Sequence, residues 1–164
     1  MENRESHKDS RSFGQQSDYR RKKTEPVLRI YLDSSALIKR YIHESGSEKV
    51  FNLCAKADQL VLSALCMPET ISAFRRLWRE KKMSEDIYRL LKNDLKEDIQ
   101  EAVVVDLHPE IIMASVECVE KQPVGTLDAI HLATALSHEC DLFLSADIQQ
   151  RRAAQALGLK IEVI

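Results

Sequence analysis

The run Ile30-Tyr31-Leu32-Asp33-Ser34-Ser35-Ala36-Leu37-Ile38-Lys39 decides how the chain is read. A β-rich apolar triplet stops on an acid, and a serine-led helical pattern follows. Leu142-Phe143-Leu144-Ser145-Ala146-Asp147 repeats that grammar near the other end. Short apolar runs at residues 28–32, 60–63, 103–107, 141–145 and 160–164 read as strands. Helical patterns at 35–41, 47–56, 68–81, 84–100, 109–120, 127–138 and 148–157 separate them. Alternation of this kind predicts a parallel α/β sheet covered on both faces. Two successive helices, 68–81 and 84–100, lie between the second and third strands and predict a helical hairpin standing off the sheet. Pro68 and Pro109 suit first turns, Ser84 and Thr126 suit N-caps, and Gly158 suits a helix stop.

The rest of the composition sets bounds. At 164 residues, 44% hydrophobic and 30% charged, the chain fits one ordinary globular domain. No apolar run approaches the roughly 20 residues a membrane span requires. Residues 1–26 are polar and carry no apolar leader core, so a disordered tail is expected there, with the folded domain at 27–164 and a cytoplasmic location. The Arg20-Arg21-Lys22-Lys23 cluster in that tail reads first as a solvated charge run. Cys54, Cys66, Cys118 and Cys140 include no C-x-x-C pair, so they read as buried thiols and not as a zinc or redox motif. A net charge of −2 gives no overall steering of nucleic acid.

Right-handed βαβ units start every helix at the carboxyl edge of the strands. Asp33, Glu69, Asp128 and Asp147 all belong to that edge, which becomes a binding crevice if the first and fourth strands are neighbours. Each acid alone has an ordinary explanation as a cap or a first-turn residue facing a helix dipole. Together they would repel, and a hard divalent cation such as Mg²⁺ or Mn²⁺ offsets that repulsion. Arg76 returns to the face of Glu69 two turns on and, with Lys39, is a candidate phosphate contact. His131 reads as a packed or hydrogen-bonded core residue, and Trp78 as core or interface.

Three blocks carry a resemblance: residues 30–41, Leu127-Asp128-Ala129-Ile130-His131-Leu132-Ala133-Thr134-Ala135-Leu136, and Leu144-Ser145-Ala146-Asp147. They resemble the PIN-domain ribonucleases, and among them the VapC-type toxins of toxin–antitoxin pairs, over residues 28–164. The resemblance implies a three-layer α/β/α PIN-like fold with a short parallel sheet of order 3-2-1-4-5. It implies a Mg²⁺- or Mn²⁺-dependent endoribonuclease that cuts single-stranded or looped RNA, paired with a cognate antitoxin and acting as a homodimer. Asp33, Glu69, Asp128 and Asp147 would be its catalytic, metal-binding acids, with Ser35 and Ser145 supporting them. Gly125 departs from the pattern, since relatives often have a basic residue there. A catalytically idle PIN domain that binds RNA or protein is the alternative. A phosphatase with Asp33 as nucleophile would need a second acid two places on, where Ser35 stands.

Overall fold

The computed structural model describes residues 27–164. The tail expected at 1–26 lies outside the described residues. Five strands, β1 (Arg29–Leu32), β2 (Gln59–Ser63), β3 (Val103–Val105), β4 (Leu142–Ser145) and β5 (Ile161–Val163), form one sheet of order β3-β2-β1-β4-β5. All four pairings are parallel. β1 is central, with Ile30 opposite Leu60 on one side and Leu142 on the other.

The period of two along a strand divides the core into two layers. Ile30 and Leu32 of β1, with Leu62 and Leu144, face one way. They meet α1 (Ser34–Ile38), α2 (Ser47–Cys54), α3 (Cys66–Arg79) and α4 (Glu85–Glu101) through Leu37, Val50, Phe74 and Leu95. Tyr31, Val61 and Phe143 face the other way, onto α5 (Pro109–Lys121), α6 (Thr126–Ser137) and α7 (Ile148–Ala156). The strands are apolar on both faces because both faces are covered. α6 is the most enclosed helix, with Ala129 through Ala135 all buried.

The ends of the elements follow local chemistry. Ser84 caps α4 by accepting from the Ile87 N–H at 3.2 Å. Gly158, at φ 91, takes the left-handed conformation that stops α7. Two expectations are corrected. The first helix ends at Ile38 and not at Tyr41, because Lys39, Arg40 and Tyr41 bond back three residues to Ala36, Leu37 and Ile38 in tighter 3₁₀-like turns. Thr126 is the first residue of α6, and the N-cap is Gly125, which offers no side-chain bond. All four cysteines are free and buried. Among the described residues no helix is long and apolar enough to cross a membrane.

Candidate active site

The β1–β4 pairing brings the two strand-to-helix turns side by side. Asp33, only 4% exposed, ends β1 and caps α1, accepting from the Ala36 N–H at 2.7 Å. The Ser35 hydroxyl donates to the same carboxylate at 2.8 Å and accepts from the Ala146 N–H at 2.8 Å. One hydroxyl therefore ties the first turn to the second. Ser145, at the end of β4, donates to Gln150 Oε1 at 2.8 Å and accepts from the Asp147 N–H at 3.0 Å. Asp147 caps α7 through the Gln149 and Gln150 N–H groups at 2.7 and 2.9 Å.

The other two acids come from helix first turns. Glu69 opens α3 and accepts from the Ser34 hydroxyl and from His131 Nε2, the latter at 2.9 Å. Asp128 lies in the first turn of α6 and folds back toward Gly125, where an added Cβ would stand 3.6 Å from Asp128 Oδ2.

The electrostatics show acids that share a field. Burial pushes the Asp33 carboxyl above its usual range, against bonds from Ser145, Ala36 and Ser35 that favour its charge. Burial also raises Asp128, and the nearby charges of Asp147 and Glu69 raise it further. Burial opposes ionisation of Glu69 as well, but the His131 and Ser34 bonds outweigh it and hold that carboxyl below its usual range. His131 is 3% exposed and meets the Tyr31 hydroxyl through Nδ1 at 2.6 Å. Its burial disfavours the charged ring, yet Cys66, Glu69 and Asp33 together draw its pKa up to about 10.

These acids flank one rim, and Asp33, Glu69 and Asp147 are each engaged by a protein donor. Among the described residues, no group of three or more His, Cys, Asp or Glu is arranged so that it could hold a metal ion. The donor set has the chemistry of a hard cation site, all carboxylate oxygen and mutually repelling at Asp128. As the side chains stand, Glu69 is turned to His131 and Asp147 to the start of α7.

Two residues here were not singled out from the sequence in these roles. His131 is a buried residue as expected, but its bond to Glu69 joins positions 62 apart and leaves no local pattern. Gln150 is 1% exposed, holds Ser145, and leaves its own Nε2 without a partner. A glutamine on a short helix gives no sign of that in sequence. Of the two candidate phosphate contacts, Arg76 lines the open groove beside Glu69. Lys39 is buried instead, with its ammonium bound to Glu44 at 2.9 Å and to the Ser45 carbonyl at 2.6 Å. Trp78 stacks on Tyr88 at 5.6 Å, with the Arg75 guanidinium 3.8 Å from its ring centre.

A family model described as "PIN domain" matches residues 30–156. Among solved structures, FitAcB from Neisseria gonorrhoeae is similar at a TM-score of 0.62 and 14% identity, covering 80% of this chain and 95% of that one. The Mycobacterium tuberculosis VapC20, titled a sarcin-ricin loop cleaving toxin, gives 0.61 and 13%, covering 79% and 95%. DNA-bound VapBC from Salmonella typhimurium gives 0.59 and 18%, covering 83% and 98%. No curated protein sequence matches the chain significantly.

Proposed function

The chain belongs to the PIN-domain family, and from that membership we propose that it is a divalent-metal-dependent endoribonuclease, the toxin of a toxin–antitoxin pair. The observation that supports the reading is the gathering of acids at one rim, where Ser35 ties Asp33 to the Ala146 backbone beside Asp147 and Asp128 is raised by burial and by its neighbours Asp147 and Glu69. Asp33, Glu69, Asp128 and Asp147 would hold Mg²⁺ or Mn²⁺. When bound, such an ion lowers the pKa of water and offsets charge developing on the phosphate.

The chain's own residues supply position. Ser35 fixes the Asp33 carboxylate and the Ala146 backbone together, so the β1 and β4 turns hold one spacing. Ser145 and Gln150 orient the start of α7, where Asp147 stands. The ring of His131 fixes Glu69, and its charge favours the ionised carboxylates of Asp33 and Asp128. Single-stranded or looped RNA is the substrate class, a cognate antitoxin and a second copy of the chain are the partners, and the cytoplasm is the compartment. Support for the antitoxin comes from the VapBC and FitAB complexes among the similar folds.

The test is cleavage of a pool of structured RNAs by the purified protein with Mg²⁺, with Mn²⁺ and with chelator, beside Asp33→Asn. Metal-dependent cutting that the substitution abolishes is expected, together with a rise in thermal midpoint on adding either ion. An ion at a hundred times its dissociation constant stabilises the fold by about 2.7 kcal/mol. RNA binding without cutting under any condition would favour the idle binding module instead.

A further inference from the structure

Beside the acids runs an open groove of about 460 Å³ whose walls differ in chemistry. One wall is α3, which contributes Glu69, Ser72, Arg76 and Arg79. Ile38 and Leu127 line the groove too, and Leu127 is 51% exposed. The α3 residues are spaced three, four and three apart, which places them on one helix face. From Glu69 to Arg79 that face extends roughly 15 Å at 1.5 Å per residue.

The arginines of this helix differ in how they are engaged. Arg75 is held over Trp78. Arg76 and Arg79 are exposed, and among the described residues neither forms an ion pair. Glu80, the carboxylate within their field, is already bound by Lys82 at 2.7 Å. Two guanidiniums with no ion pair among the described residues therefore line a groove that begins at an acid of the rim. Guanidinium forks match phosphate oxygens in geometry and charge.

We propose that Ser72, Arg76 and Arg79 form a phosphate track that holds the RNA strand on one side of the scissile bond without reading its sequence. This rests on the nuclease reading and adds to it a direction, since the strand leaves the acids along α3 toward Arg79. Ile38 and Leu127 offer apolar contact to ribose and base faces. Among the described residues no aromatic ring lines the groove, so the arginines, and not the stacking that gives other single-strand binders their grip, carry the affinity on this flank.

The experiment uses the full chain carrying Asp33→Asn, so that RNA survives, and a labelled mixed-sequence single-stranded RNA titrated at several salt concentrations. Each phosphate contact contributes about 0.7 to the slope of log affinity against log salt for single strands. Replacing both arginines by glutamine is expected to flatten the slope by about 1.4, twice that value, and to weaken all RNA sequences alike. Arg76→Lys with Arg79→Lys should restore the slope. Both side chains are exposed, so an unchanged thermal midpoint will show the fold intact. An unchanged slope overturns the proposal, and so does intact RNA binding coupled with lost binding of an acidic protein partner. Cutting by the wild type with an unchanged slope would remove the track and leave the nuclease, whereas a flattened slope without cutting would do the reverse.

Discussion

His131 bonds Tyr31 and Glu69 at once, and its charge governs how the site answers to pH. In the unfolded chain an imidazole loses its proton near about 6.5, whereas in the fold this ring keeps it to about 10. A pKa raised by folding stabilises the fold fully below the unfolded value, and the gain is lost as pH rises through the folded one. Asp33 and Asp128 act in a lower window. Their folded values lie above the unfolded value of about 3.9, so the fold loses stability as pH rises and they ionise. Glu69, held low, contributes in the opposite sense, and its share disappears in acid. In chelator, the thermal midpoint is expected to fall by several degrees between about pH 6.5 and 10, and His131→Gln should abolish that fall. A flat wild-type profile over this range would mean that the imidazolium does not hold Glu69. At this scale the sequence yielded the acids, because each follows a strand end or opens a helix. It did not yield the Glu69–His131–Tyr31 relay, whose members lie on three elements and meet only through the sheet.

Besides its apolar packing, α4 of the helical hairpin is fastened to the end of α1 through Asp98. Asp98 Oδ2 accepts from Arg40 Nε at 3.2 Å, Arg40 NH2 at 3.0 Å and the Tyr41 hydroxyl at 2.6 Å. The same bonds explain why α1 stops early. Lys39 and Arg40 are good helix formers, so their propensity does not end the helix. The pull of Asp98, 58 residues away, and the burial of Lys39 on Glu44 decide it. Other helix ends were legible where Pro109 and Gly158 act through backbone geometry and Ser84 through its side-chain cap, whereas the α6 cap fell on Gly125 and not on Thr126. Asp98→Ala is expected to cost about 1 to 3 kcal/mol, the loss from stranding the half-buried donors of Arg40 and Tyr41. Urea unfolding measures it, and hydrogen exchange should show the amides of α4 opening first. Equal exchange in α4 with and without Asp98 would remove its role as a fastener.

The sheet order was legible only through the family resemblance, because no residue pattern states which strands are neighbours. The apolar strands and intervening helices required parallel pairing, and the β1–β4 contact then placed both acid-bearing turns at one edge. One surface of the whole molecule remains apolar. Ile112, Met113, Val116 and Val119 on α5 are each at least 40% exposed and recur at helical spacing. An apolar stripe of this kind is the surface a second copy would cover. If the proposed homodimer forms through this stripe, Met113→Glu with Val116→Glu is expected to convert it to monomer in sedimentation velocity, with the RNA-cutting assay reporting whether assembly matters to activity. A wild-type protein that sediments as a monomer at all concentrations would dispose of the dimer.

The central position of β1 has a consequence for the order in which the protein is made. Ser35 and Ser145 are 110 residues apart, so the turn that follows β1 is synthesised early and waits for its neighbour. Long-range pairing of this kind is slow to form, and chains emerge from the ribosome amino end first. β4 and the Asp147 turn emerge only after α6. Under the proposed function, a centre that depends on both turns is therefore absent until β4 has been made, and a fragment that stops before β4 is expected to be unable to cut RNA.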